Sequence, residues 1–300
     1  YRHAAELQPD FAEAWNNRGL ILRDLRRTEE ALTSFRRADE LKPGDVNFIS
    51  NLVNIQRDLG RYDEALICAE RARILKPNDA AVYTNMGTLL HALGRLDDAM
   101  AYFLRAQTLA PTEAEAHWNE ALCRLTLGEL RSGWEKYEWR WKKVEFARER
   151  AAFPQSPWLG REDLAGKTLL VWCEQGLGDT LQFCRYVPML ATRGIQVVLS
   201  VQPLLKRLLA RLPGPVQVTG LDEPLPAFDY HCPLLSLPLV FGTTLTTIPA
   251  AVPYVNAASE KVAVWRERLG PAQGRRVGLV WSGSPGHKDD RQRSIPLAAL

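Results

Sequence analysis

The sequence predicts an all-helical solenoid of repeated helix pairs followed by a doubly wound α/β domain. Prolines recur at a fixed interval of 34 residues, and a unit of that length accommodates two helices. From residue 167 the pattern changes to short apolar runs between amphipathic stretches, which is typical of parallel strands that alternate with helices. We therefore expect a repeat region at 1–145, a linker at 146–166 and α/β structure from 167 onwards.

The repeat region returns the same residue types at the same positions of each unit. The repeated prolines are Pro9, Pro43, Pro77 and Pro111. Six positions after them stand Trp15, Ile49, Tyr83 and His117, and twenty-two positions after them stand Ala31, Ala65, Ala99 and Gly133. Small residues at fixed positions let two helix backbones approach closely. The pattern resembles the tetratricopeptide repeat, whose stacked helix pairs form a concave inner wall.

The first residues of the chain also fit this pattern. Tyr1 and Ala4 match the second helix of a preceding repeat, so we expect further repeats upstream.

Composition indicates an ordinary soluble globular protein. The net charge of +3 comes from 38 basic and 35 acidic residues, which gives no case for bulk binding to nucleic acid or a membrane surface. No apolar run is long enough to span a bilayer, and no signal peptide is visible. The five cysteines are odd in number and lack Cys-x-x-Cys spacing, so we expect reduced, buried thiols in a cytoplasmic protein.

The last repeat changes character at residues 133–141, where three tryptophans replace the small-residue pattern. Aromatic and basic residues interleave there, as in surfaces that stack on single-stranded nucleic acid. The alternative, which the nearly neutral charge favours, is that the large aromatics dock the next domain. We expect such a docking segment at the end of the solenoid.

The α/β region predicts strands at 168–173, 196–201, 216–218 and 228–232, with helices at 180–192, 204–212 and 259–269. A further buried-type strand is predicted at 277–281, before a polar loop and Pro296 at a helix start. We therefore expect one α/β domain at 167–275 and the opening of a second, truncated one at 276–300.

The turn after the first predicted strand contains Gln175, Gly176, Gly178 and Asp179. The glycines permit a tight turn and leave backbone amides free at a helix N-terminus. The spacing matches neither the dinucleotide fingerprint nor a P-loop. Asp179 is a helix cap on one interpretation and a functional carboxylate on the other.

Two motifs carry a resemblance to a known family. Gly-Leu-Gly-Asp at 176–179, followed by Arg-Tyr-Val-Pro at 185–188, resembles the opening signature of glycosyltransferase family 9, the heptosyltransferase-like enzymes. Residues 277–294 look like the start of their donor-binding domain, as in bacterial proteins that fuse tetratricopeptide repeats to such a transferase.

The resemblance implies a GT-B architecture with two Rossmann-like halves. The first half holds the acceptor and the second binds a nucleotide-sugar, which is a co-substrate; no cofactor or metal is required. Asp179 matches the family's proposed general base, which takes a proton from the acceptor hydroxyl so that transfer inverts the anomeric centre. We expect the 300-residue chain alone to be inactive, since most of the second half is missing.

The polar loop of the second half supplies candidate ligands for the donor diphosphate. They are Ser282, His287, Lys288, Arg291, Arg293 and Ser294. A solvated loop is the alternative, since runs of charge usually are solvated. The adjacent Asp289 and Asp290 lack further metal ligands, so no metal site is predicted. His231, at the end of a predicted strand, is a possible cleft residue and otherwise a core histidine.

An asparagine stands at one repeat position throughout the solenoid. The set is Asn17, Asn51, Asn85 and Asn119. A column of amides can hold a peptide backbone without reading its sequence. It resembles the asparagine ladder of O-linked N-acetylglucosamine transferases, although Asn at this position also serves to bridge neighbouring helices.

Two functional hypotheses follow. The first is a metal-independent, inverting glycosyltransferase whose solenoid recruits a protein or other large acceptor. The second is a non-catalytic scaffold that binds partners through its repeats and carries a degenerate transferase domain.

Overall fold

The computed structural model describes residues 7–144, 146–147, 153–271, 274–283 and 290–300, without the side chains of Arg291 and Gln292. The chain divides into two compact units, residues 1–256 and residues 257–300.

Four helix pairs form the solenoid within the described residues of the first unit. The helices are α1 (Ala12–Asp24), α2 (Thr28–Leu41), α3 (Val46–Asp58), α4 (Tyr62–Leu75), α5 (Ala80–Ala92), α6 (Leu96–Leu109), α7 (Ala114–Thr126) and α8 (Leu130–Tyr137). The first helices of successive pairs contact one another, so α1, α3, α5 and α7 form the inner wall.

The repeated residues have a packing role that the sequence pattern indicated. A Cβ added at Gly19 would lie 2.5 Å from Phe35 Cε1, and one at Gly87 would lie 2.6 Å from Phe103 Cε1. Glycine therefore allows the first helix of a pair to rest against the aromatic ring of the second.

Hydrogen bonds explain why a ring that carries an N–H or O–H group recurs six positions after the repeat proline. In three repeats that ring bonds to the carbonyl oxygen of its own repeat's proline. The pairs are Trp15 Nε1 to Pro9 O (3.0 Å), Tyr83 OH to Pro77 O (3.0 Å) and His117 Nε2 to Pro111 O (2.9 Å). Each bond fixes the turn that leads into the first helix of that repeat.

A four-stranded parallel sheet follows the solenoid. Its strands are β1 (Thr168–Trp172), β2 (Gln196–Val201), β3 (Val216–Gly220) and β4 (Tyr230–Pro233), in the order β3-β2-β1-β4. The connections include α9 (Leu177–Phe183), α10 (Val187–Ala191) and α11 (Pro203–Leu209), and α12 (Leu237–Val240) follows β4. The expected helix at 180–192 is instead broken by a 3₁₀ turn, Cys184–Tyr186. The fold shown is a small parallel sheet with helical connections.

The two faces of the sheet are covered differently. Val171 of β1 and Leu199 of β2 pack with the helices that connect the strands. On the opposite face, Leu170 and Trp172 pack with Trp141 from the end of the solenoid, in a cluster that Phe153 of the linker also contacts. Both faces of β1 are therefore buried, and the end of the solenoid contributes to both clusters, with Tyr137 in the first and Trp141 in the second.

The second unit contains α13 (Ser259–Leu269) and the short α14 (Asp290–Arg293). The strand predicted at 277–281 is not formed: these residues are irregular, and Val280 is 93% exposed. A parallel strand needs hydrogen-bonded neighbours and covered faces. Neither is present among the described residues of this unit.

Candidate functional site

The glycine loop, residues 174–179, lies at the carboxyl edge of the sheet. β1 ends at Trp172 and α9 begins at Leu177. Because β2 and β3 lie on one side of β1 and β4 on the other, the order of strand addition reverses beside β1. Open α/β sheets bind ligands at such a topological switch point. The loop that the sequence singled out is therefore at the sheet's expected binding edge.

Asp179 contributes to the helix start. Its Oδ2 accepts a hydrogen bond from Gly176 N at 2.9 Å, which satisfies an amide at the N-terminus of α9. Its Oδ1 has no hydrogen-bond partner among the described residues. The geometry thus supplies the capping role directly and leaves one carboxylate oxygen available for a second role.

The glycines give the loop an open backbone. A Cβ at Gly178 would meet no atom within 4 Å, and one at Gly176 would meet only Asp179 Oδ2, at 3.2 Å. Gln175 takes the left-handed conformation, with φ of 63°. A non-glycine residue in that region is uncommon, so contacts around Gln175 must hold it there.

A buried ion-pair network fills the crevice beside this loop. Arg140 lies in a 3₁₀ turn, Glu138–Lys142, that follows α8. It donates from Nε to Glu174 Oε2 (2.8 Å) and from Nη2 to Glu174 Oε1 (3.0 Å), in a bidentate pair whose side chains are both 0% exposed. Nη2 also donates to Ser236 Oγ at 2.8 Å, and Leu235 N donates to Glu174 Oε1 at 3.1 Å. Arg140 therefore bridges the ends of β1 and β4.

Burial sets the ionisation behaviour of this network. It raises the pKa of Glu174 above the ordinary range of a glutamate, and the Arg140 guanidinium opposes the rise. The pair remains tolerable in the interior only because its polar atoms are matched by hydrogen bonds.

Tyr137 joins the end of α8 to the glycine loop. Gln175 Nε2 donates to the Tyr137 hydroxyl at 2.6 Å. The Tyr137 ring packs against Trp118 at 4.6 Å and against Trp134 at 5.2 Å between centroids. Burial raises the pKa of Tyr137 to about 12, so its phenol stays protonated near neutral pH.

The aromatic segment at the end of the solenoid contacts the α/β region at several points. Trp134 packs edge-on against Phe183 of α9, with centroids 5.5 Å apart. Trp141 packs against Trp172 of β1 at 5.6 Å. The contacts are of the kind expected for a docking segment.

His117 lies in a polar cluster behind this segment. Its Nε2 bonds to Pro111 O and its Nδ1 to Lys136 Nζ (3.0 Å), so its tautomer carries the proton on Nε2. The ring stacks on Trp139 with centroids 3.5 Å apart. Lys136 also pairs with the buried Glu120, at 2.8 Å. Burial lowers the pKa of His117, and the Lys136 ammonium lowers it further.

His231 lies inside the sheet rather than in a crevice. It is 1% exposed and its Nδ1 accepts a hydrogen bond from Trp172 Nε1 at 3.2 Å. Trp158 N donates to the His231 carbonyl oxygen at 2.8 Å, which brings the linker alongside β4. The surroundings are those of a core histidine.

The described part of the second polar loop is held by its own hydrogen bonds. Ser294 Oγ accepts from Gly283 N at 2.9 Å and donates to Asp290 Oδ1 at 2.6 Å. Ser282 Oγ bonds locally to Gly283 O, and the Arg293 guanidinium lies near Gly283. The other predicted phosphate ligands, His287, Lys288 and the Arg291 side chain, lie outside the described residues.

The four asparagines of the column differ in their hydrogen bonding. Asn51 Nδ2 donates to Asn16 Oδ1 at 2.7 Å, and Asn119 Nδ2 donates to Thr88 Oγ1 at 3.3 Å. These two bonds bridge the first helices of adjacent repeats. The half-buried Asn17 and Asn85 have no side-chain hydrogen-bond partner in the described part of the chain.

Sequence reasoning missed the network of Tyr137, Arg140 and Glu174. Two signals pointed towards it: Glu174 is a charged residue directly after a buried strand, and Arg140 stands between two tryptophans. Neither signal identifies its partner, because only the tertiary fold brings them together.

Two grooves lie between the α8 region and the chain formed by α12 and the segment after it, with volumes of about 490 and 220 Å³. Arg131 and Glu135 of α8 line both. Neither groove includes a residue of the glycine loop.

Three further properties concern the described residues only. They contain no group of three or more His, Cys, Asp or Glu side chains arranged to hold a metal ion. None of their helices has the length and apolar character needed to cross a bilayer. All five cysteines are free thiols, and four of them are buried.

Comparison with known proteins identifies the repeats. Residues 1–46 and 51–114 match the family model of the tetratricopeptide repeat. Protein FlbA of Caulobacter vibrioides is 30% identical over 183 residues, which is 54% of this chain. The chain spans only 30% of that relative's length.

Several solved structures resemble the chain. A tetratricopeptide-repeat protein of Thermus thermophilus, TTC0263, shares 23% identity with a TM-score of 0.43, covering 45% of this chain and 75% of its own. MamA shares 16% identity with a TM-score of 0.41, covering 51% and 88% respectively. YrrB, a TPR protein with an unusual peptide-binding site, shares 22% identity with a TM-score of 0.38, covering 48% and 74%.

Proposed function

We propose that the tetratricopeptide repeats bind an extended protein segment along their inner wall, so that the chain acts as a protein-interaction scaffold. The observation that carries this proposal is that two asparagines of that wall, Asn17 on α1 and Asn85 on α5, have no side-chain hydrogen-bond partner among the described residues. Each side-chain amide can donate to and accept from a peptide backbone. Solenoids with a concave wall commonly use it as a binding surface.

The hydrogen bonds of the column separate binding from structural roles. Asn85→Ala removes an amide that stabilises nothing within the described residues, so it should weaken peptide binding and leave stability unchanged. Asn51→Ala removes the bond to Asn16 and leaves a buried acceptor unpaired, so it should lower stability instead.

A peptide library displayed on phage provides the probe for this test. Peptides selected on the parent chain would be synthesised and their affinity measured by calorimetry for the parent and both variants. One neutral hydrogen bond is worth about 0.5–1.5 kcal/mol, so Asn85→Ala should weaken binding about 2- to 12-fold. Selection of no saturable binder, or equal affinity for the parent and Asn85→Ala, would contradict the proposal.

A second candidate function is glycosyl transfer at the glycine loop. It is favoured by the open space around Gly178, where a ligand can approach the loop backbone outside the crevice that Arg140 fills. Asp179 would then use its unbonded Oδ1 as general base towards an acceptor hydroxyl, with a nucleotide-sugar as donor. The proposal requires a second α/β half to bind that donor.

Asp179→Asn tests this candidate in a chain extended through such a second half. The amide oxygen still caps Gly176 N, so the fold should survive while the base is lost. Release of nucleoside diphosphate from a mixture of nucleotide-sugars should fall about 10²- to 10⁴-fold. Unchanged turnover would assign Asp179 to capping, and absence of turnover in the extended parent would favour the scaffold alone.

A further inference from the structure

The switch-point crevice of the sheet is already occupied by the solenoid. Glu174 follows β1, and Ser236 lies in the 3₁₀ turn that follows β4. Arg140, from the last turn of the solenoid, bonds to both of them. Its guanidinium therefore lies where a ligand of an open α/β sheet would otherwise reach between the two strand ends.

The same part of the solenoid also holds the loop that borders the crevice. Gln175 is bonded through its side chain to the Tyr137 hydroxyl, and its carbonyl oxygen accepts from Gln202 Nε2 at 3.3 Å. These two contacts hold Gln175 at its positive φ of 63°. Such a conformation has an energetic cost for a residue with a Cβ and persists only where surrounding contacts impose it.

Tyr137 is in turn fixed by the last repeat. Its ring packs on Trp118 of α7, the residue directly before Asn119 of the inner wall. The Arg140 guanidinium also lies over the Tyr137 ring, 4.5 Å from its centroid. Tyr137 is thus a rigid element between the repeats and the glycine loop.

We propose that Tyr137 and Arg140 are positioning residues through which the last repeat sets the conformation of the glycine loop. The loop is then held by the solenoid and not by the α/β domain alone. This inference goes beyond both proposed functions and requires neither. It predicts that loss of the Tyr137 hydroxyl loosens the loop while the sheet stays intact.

Tyr137→Phe is the sharpest test, because it deletes one oxygen and leaves the ring packing unchanged. Hydrogen exchange of the 300-residue chain would be followed by mass spectrometry over residues 174–180 and over β1. Loss of one hydrogen bond should accelerate exchange in the loop about 2- to 12-fold, with no change in β1. Tyr186→Phe is the matched control, since Tyr186 is a second buried tyrosine of the first unit, and its ring stacks on Phe183 and Phe241.

A second variant keeps the test specific. In Gln175→Gly the side-chain bond is absent and the positive φ is no longer strained, so adding Tyr137→Phe should cause no further acceleration. Unchanged loop exchange in Tyr137→Phe would overturn the proposal. Equal acceleration of the loop and β1, or an equal loop effect in Tyr186→Phe, would also overturn it, since either shows general destabilisation.

Discussion

Replacement of Arg140 by methionine should strongly destabilise the first unit. The guanidinium makes five hydrogen bonds: two to Glu174, and one each to Ser236 Oγ, Tyr137 O and Glu138 Oε1. Methionine fills similar apolar space but leaves the Glu174 carboxylate buried without its cation. Removing one member of a buried pair costs about 3–5 kcal/mol. That is a large fraction of the roughly 5–15 kcal/mol by which domains are stable.

The double variant Arg140→Met with Glu174→Gln separates the charge effect from the packing effect. Glutamine keeps an oxygen to accept from Leu235 N and buries no charge. The double variant should therefore recover a substantial part of the lost free energy of unfolding, as a non-additive coupling of about 1–3 kcal/mol. Urea unfolding followed by tryptophan fluorescence and circular dichroism measures it, and coincident transitions would establish two-state behaviour.

The pH dependence gives an independent check on the same argument. Burial already raises the pKa of Glu174, and loss of Arg140 should raise it further. A raised folded-state pKa favours the folded protein at low pH, and that advantage is lost as pH rises through the folded pKa. The deficit of Arg140→Met should therefore shrink as pH falls below neutral. A deficit below about 1 kcal/mol, or strict additivity in the double variant, would refute the reasoning.

Two further predictions concern the solenoid. The pKa of His117 is lowered in the folded state, so folded stability is highest above the unfolded pKa of about 6.5 and should fall as pH drops from there through the folded pKa. Urea titrations should therefore show a weaker pH dependence of stability in His117→Gln than in the parent. An identical dependence in both proteins would contradict this prediction. Gly19→Ala should destabilise the protein by about 1–3 kcal/mol, because the new Cβ meets the Phe35 ring. Gly178→Ala, whose Cβ would meet no atom, should be neutral or stabilising. Thermal unfolding compares the two variants, and equal effects would argue against close packing at Gly19.

The local pattern of the sequence determined the elements that depend on near neighbours. The 34-residue period predicted the helix pairs because packing and turn formation recur within each unit, as in the bond from Trp15 to Pro9. The strand at 196–201 and the helix at 259–269 have the predicted bounds, since apolar runs and helical periodicity are local signals.

The glycine loop was also predictable in part. Its glycines and the following helix indicated a tight turn at a strand end, and Asp179 as a helix cap was one of the two roles considered. The division of the asparagine column was not predictable, because equivalent positions acquire different neighbours: Asn51 meets Asn16, whereas Asn85 meets no partner in the described chain.

Only the tertiary structure decided what covers the sheet and what occupies its switch point. Arg140 and Glu174 are 34 residues apart, and Arg140 and Ser236 are 96 apart, so no local pattern connects them. The strand predicted at 277–281 also depended on tertiary partners and did not form. An apolar run becomes a strand only where neighbouring strands pair with its backbone hydrogen-bonding groups. Interactions between near neighbours thus determined most helices and strands, whereas the burial of Arg140 and Glu174 depended on partners that are distant in the chain.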